Sequence, residues 1–168
     1  MHSDTPARPG IDDFTFLRGR WRVENRRLRQ RFQDHHEWDT FTALQTNCAL
    51  PGGIGNYDDF IAAEWRPDYV GMSLRLFNPQ TGLWSIYWLD NQTGGLDGAG
   101  LLLAPVVGKF DNGVGVFEGT DVLDGRPIRV RFTWSGISAD SACWEQAMSD
   151  DEGRSWEMNW RMLVQRIA

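Results

Sequence analysis

Four polar side chains fall in phase with residues of an apolar face, and these are the positions at which the chain could do chemistry. Trp21, Val23, Asn25 and Arg27 share one side of a period-two stretch; Trp84, Ile86, Trp88 and Asp90 share one side of another; Trp144, Gln146 and Met148 do so in a third. A guanidinium or carboxylate carried inward must be paired or it costs several kcal/mol, on the order expected for buried ions. Arg27 and Asp90 are therefore expected to meet each other, in the simplest case as a rim ion pair, or to meet a ligand of opposite charge. Asn25, Arg27, Asp90 and Gln146 form the candidate polar site. The catalytic version of this reading has Asp90 or Glu118 as general acid or base on a substrate anchored by Arg27.

The chain holds nine tryptophans in 168 residues. Aromatic walls with a few polar groups line small-molecule cavities, although tryptophan also fills wide cores. Trp88, Trp134, Trp144 and Trp160 are the ones expected nearest a cavity.

Other chemistries find little footing. His35-His36-Glu37 is a contiguous polar turn and Cys48 and Cys143 are isolated, so no metal site is expected. Gly52-Gly53-Ile54-Gly55 and Gly113-Val114-Gly115 lack a Walker lysine and lead into strands, whereas phosphate loops open helices. No Gly-x-Ser-x-Gly string marks a nucleophile elbow.

The elements that position these residues are strands. Alternation recurs between Gly, Asn, Asp and Pro clusters, giving about ten strands. The clearest are 20–32, 37–50, 69–78, 83–91, 114–123, 127–135, 142–148 and 155–167. A short helical turn is expected over Asp12–Arg18, with Asp12 as its N-cap and Gly19 just past its end. The turn Asn78–Gly82 predicts Leu76 opposite Trp84, Leu74 opposite Ile86 and Met72 opposite Trp88, with Arg75 and Ser73 on the solvent side. Asp124-Gly125 is a type I′ signal that places Phe117 opposite Phe132 and Glu118 opposite Arg131. Ser149–Trp156 resembles the Asp-box turn, a folding motif in which Asp151 gathers backbone hydrogen bonds and Trp156 anchors the hairpin. Across it Met148, Gln146 and Trp144 are expected to face Trp156, Met158 and Trp160. Sequential hairpins without long helices predict an all-β, closed, up-and-down antiparallel barrel, with an open sandwich as the alternative.

Gly19-Arg20-Trp21 after a helical turn resembles the Gly-x-Trp opening of lipocalins and their calycin relatives. The resemblance implies that Trp21 closes the barrel floor and that Arg166 or Arg161 from the last strand packs over it. The runs Gly82–Asn91, Phe117-Glu118-Gly119 and Trp144-Glu145-Gln146-Ala147 are similar to an uncharacterised bacterial family with a lipocalin-like barrel and no agreed reaction. Nitrobindins, a calycin-like branch, hold haem through a histidine near the chain end. Here the histidines are His2, His35 and His36, so no haem or other cofactor is expected.

A net charge of -6 argues against a general nucleic-acid binder, despite seven arginines between Arg18 and Arg31. No apolar run reaches membrane-span length, no secretory leader is apparent, and two unspaced cysteines are expected to stay reduced, which together point to the cytoplasm. Residues 1–10 read as a flexible extension and 11–168 as one barrel domain. The leading expectation is a barrel that binds a small apolar, aromatic or amphipathic ligand, acidic at one end if Arg27 holds it. The alternative is an enzyme of isomerase, cyclase or lyase type on the same barrel. A third reading is a homodimer formed through Leu101–Leu103, in a Gly-rich segment (92–105) that would otherwise act as a lid or an edge strand.

Overall fold

Period-two alternation is realised as ten antiparallel strands, each joined to the next by a turn and closed by pairing of the first with the last. In the computed structural model, which describes residues 9–167, these are β1 (Gly19–Leu28), β2 (Trp38–Ala49), β3 (Gly55–Ile61), β4 (Val70–Asn78), β5 (Leu83–Asp90), β6 (Val106–Asp111), β7 (Val114–Leu123), β8 (Arg126–Ser135), β9 (Ser141–Ser149) and β10 (Glu157–Ile167). Every neighbour pair is consecutive in sequence except β1–β10, which closes the barrel. Closure gives every strand a partner on each side, with β5 meeting β6 over Trp84–Ile86 and β2 meeting β3 from Leu44 to Ala49. Among the described residues no helix is long and apolar enough to cross a membrane. Residues 1–8 of the expected extension, His2 included, lie outside the described residues. Gly10 is already fixed, its carbonyl accepting a hydrogen bond from Trp84 Nε1 at 2.9 Å.

One end of the barrel is sealed. A 3₁₀ turn, Thr15–Leu17, lies across it, shorter than expected and capped without help from the Asp12 side chain. Asp12 contributes its backbone carbonyl to Thr15 Oγ1 instead. Phe14 at the start of this turn is buried among Trp84, Phe110 and Phe117. Trp21 is fully buried and donates from Nε1 to the Leu17 carbonyl at 2.6 Å. Arg166 is the arginine that covers it, 4.2 Å above the ring, donating to the carbonyls of Phe16, Arg18 and Ala139. Arg161 is instead on the outer surface, beside Glu145.

The Asp124-Gly125 hairpin has the expected register, with Phe117 opposite Phe132 and Glu118 opposite Arg131, and both turn residues have positive φ. Two other hairpins differ from expectation, the first by one residue and the second by one residue near its turn and two beyond a bulge. Asn78 pairs with Leu83, so the loop is Pro79–Gly82, and Phe77, Arg75 and Ser73 stand opposite Trp84, Ile86 and Trp88. A one-residue slip exchanges the faces of a strand. Arg75 and Ser73 therefore point inward, and Met72, Leu74 and Leu76 outward. In β10 the turn sets Met148 opposite Glu157, and a bulge at Asn159 then sets Gln146 opposite Trp160 and Trp144 opposite Met162. Met158 and Trp156 are thereby removed from the interior. Trp156 lies under the Arg131 guanidinium, 3.8 Å from its ring centre, and is not a core anchor.

Candidate functional site

Between the sealed floor and the opposite end the barrel encloses a cavity of about 510 Å³, within the range of small-molecule sites. A well-packed interior leaves few voids larger than a water molecule. The opening is framed by Leu103 and Ala104 of the β5–β6 loop, by Thr120, Asp121 and Val122 at the end of β7, and by Pro127. Beside it the segment 62–69 folds over the rim, with Trp65 stacked on Phe41 at 4.5 Å.

The wall has two chemical halves. On β8–β10 and β5 it is aromatic, formed by Trp134, Phe132, Trp144, Trp160 and Trp88. Trp144 and Trp160 meet edge to face at 6.0 Å, and Trp144 packs on Phe132 at 4.9 Å. Trp88 fits because Gly71 sits against it: a β-carbon there would lie 2.5 Å from the indole. All four tryptophans expected near a cavity line this one.

On β2–β4 the inward face is polar, with Gln45, Asn47, Asn56, Asp58, Ser73 and Arg75. Five of the six are buried, Asp58 completely. Arg75 and Asp58 form an ion pair through Nη1 and Oδ2. Asn56 Oδ1 accepts from the same Nη1 at 3.1 Å and from Asn47 Nδ2 at 2.9 Å. Ser73 N donates to Asp58 Oδ1 at 3.4 Å. Such a pair is tolerated in a buried interior because each ion offsets the other and Asn56 and the Ser73 N–H add hydrogen bonds to it. Gln45, Ser73 and Arg75 reach the cavity surface.

Sequence reasoning missed this half for two reasons. The loop at Pro79–Gly82 is one residue shorter than expected, which hid Arg75 and Ser73. Gly55-Asn56-Tyr57-Asp58-Asp59 has the composition of a turn, so β3 was not among the clear strands. Its signal was alternation alone, with Asn56, Asp58 and Phe60 in phase.

The expected polar site is dispersed. Gln146 lines the cavity but donates to Asn159 Oδ1 at 2.8 Å. Asn25 is buried behind the wall, accepting from Trp160 Nε1 at 3.0 Å. Arg27 lies at the rim between Trp65 and Trp160, 5.4 and 5.2 Å from their ring centres. Burial, with repulsion from Arg31 and Arg66, pushes its pKa down to about 10. It makes no ion pair with Asp90. Burial raises the Asp90 carboxyl, but hydrogen bonds from Thr93 and Gln92 outweigh this and hold it below the usual range. Asp90 is thus the cap of the turn that follows β5. Glu118 points outward and is bound by Arg129 and Arg131 at 2.9 and 2.7 Å. Neither candidate acid or base is on the cavity wall.

Cys48 and Cys143 are free thiols. Among the described residues no three His, Cys, Asp or Glu side chains converge as metal ligands. No family model matches the chain, and no curated protein is similar to it.

Proposed function

We propose that the protein binds a small molecule inside its barrel, an apolar or aromatic body lying against the tryptophan half of the wall. The observation that carries this reading is a cavity of about 510 Å³ held open in a folded interior and walled by four tryptophans. Side chains at such a site find in a ligand the contacts they lack in each other. The enzymatic reading needs a carboxylate free to act on the cavity contents; Asp90 and Glu118 are engaged elsewhere, Asp58 is paired with Arg75, and Asp121 stands at the opening, accepting from the Val122 N–H. A lipocalin-like carrier or sensor, working in a reducing compartment where Cys48 and Cys143 stay thiols, is the role this chemistry suits. The exposed Leu101–Leu103 segment then borders the entrance. Dimerisation through it is the competing use of the same leucines.

Uptake of the neutral fluorophore N-phenyl-1-naphthylamine, followed by energy transfer from tryptophan, tests the reading. One probe per chain is expected, with uptake lost in Val130→Trp, which fills the cavity, while the circular dichroism of the fold is retained. Undiminished uptake in that variant places the probe elsewhere and sinks the proposal. Native mass spectra of protein from its own source would show any co-purifying adduct and separate monomer from dimer.

A further inference from the structure

The polar half of the wall specifies one end of the ligand, an inference that rests on the binding reading above. Arg75 is 3% exposed, yet its hydrogen bonds all leave from Nη1, to Asp58 and Asn56. Among the hydrogen bonds of the described residues none leaves from Nη2, and Nε is buried with no acceptor at all. A guanidinium has five N–H donors in a fixed plane, so anchoring through Nη1 leaves Nη2 as the unbonded nitrogen that is not fully covered, while Nε stays shielded from the cavity. Gln45 and Ser73 stand beside it on the cavity surface, and their side chains make no hydrogen bonds among the described residues.

The charge is already balanced. Asp58, fully buried and paired with Arg75, cancels the guanidinium. A carboxylate or phosphate entering this site would bring a second negative charge beside a buried Asp58 against a single positive one, at a cost that unpaired buried ions carry. A neutral acceptor takes the same donors without that cost. We infer that the ligand presents a neutral carbonyl group, as in a ketone, aldehyde, ester or amide, to Arg75, with Gln45 and Ser73 alongside and the aromatic half of the wall around its apolar body. An acidic end, which Arg27 alone had suggested, is not the group this cavity selects.

Three probes of matched shape test the inference: 2-acetylnaphthalene, 2-ethylnaphthalene and 2-naphthoate at pH 8. The ketone is expected to bind roughly tenfold more tightly than the hydrocarbon, as a hydrogen bond from a charged donor implies, and more tightly than the acid. Its carbonyl stretch should move to lower frequency on binding. The double variant Asp58→Leu/Arg75→Met removes both charges together, so that neither is left buried alone. It is expected to keep the hydrocarbon affinity and lose the ketone preference and the frequency shift. If ketone and hydrocarbon bind wild-type protein equally, or the acid binds most tightly, the carbonyl assignment is wrong and the binding reading stands. If none of the three binds, both fall. The wild-type comparison decides the assignment even if the double variant fails to fold.

Discussion

The two ends of the barrel are built on opposite principles. At the floor, the large side chains are consumed internally: Phe14 plugs the opening, Trp21 is sealed beneath Arg166, and that arginine spends its donors on three backbone carbonyls. At the mouth, leucines 101 and 103 are more than half exposed, and Arg27 has a buried Nε with no acceptor. Aromatic packing is concentrated at the closed end, and exposed apolar surface at the open one. Local stability in proteins is commonly divided this way, with ligand-admitting segments at the weak end.

Truncating the floor is the strongest test of this division. Trp21→Ala should cost about 3–5 kcal/mol, the usual range for emptying a buried aromatic site, whereas Leu101→Ser at the mouth should stay within about 0.5 kcal/mol. Urea unfolding of both variants measures the difference, and equal losses would erase the contrast.

A pair of arginine replacements sharpens it. Arg166→Met removes three hydrogen bonds and a ring contact, and should lower stability by about 1–2 kcal/mol despite the exposure of the side chain. Arg27→Met removes a repelled, half-buried cation and should leave stability within about 1 kcal/mol of wild type. The folded Arg27 pKa, pushed down to about 10 by burial, lies below its ordinary value. The unfolded chain therefore holds this proton more tightly, and the contribution of Arg27 to stability rises as pH climbs through the folded value. Thermal melts from pH 9 upward should show that slope reduced in Arg27→Met. An undiminished slope would show that Arg27 is not its source.

The smallest effect concerns the turn between β9 and β10, at the mouth end. Hydrogen bonds from Ser155 and Ser149 hold the Asp151 carboxyl well below the usual carboxylate range. That stabilisation is complete above about pH 4 and is lost as pH falls below it. Asp151→Asn should melt below wild type at pH 7, and the gap should narrow toward pH 3. A constant gap would attribute the difference to shape instead of charge.

The floor was more legible in the sequence than the cavity. Trp21 and its covering arginine were implied by the Gly-x-Trp resemblance, which left Arg166 and Arg161 both open, while the short turn ending before Gly19 was legible in local spacing. The Asp124-Gly125 turn likewise dictates its own backbone and gave the right partners for Phe117 and Glu118. The interior of β4 depended on the length of one loop. Met72, Leu74 and Leu76 are as apolar as the residues that face inward, so alternation alone could not choose between the faces. The polar side chains at 73 and 75 made the wrong choice the natural one. The bulge at Asn159 has no local signature, and it moved Trp156 and Met158 away from the place that simple pairing gives them.

Closure through β1 and β10 has a kinetic meaning as well. Nine of the ten strand pairings join neighbours in the chain and can zip from a turn, but the seam joins Arg20 to Ile167 across nearly the whole sequence. Its loop-closure entropy is the largest in the molecule, and it is recovered only after the other pairings shorten the path. Contacts of this kind form late in folding, so their strength governs how slowly a native chain opens more than how fast it closes. Arg166, reaching from the last strand to the carbonyls of Phe16 and Arg18, is the latch of that seam.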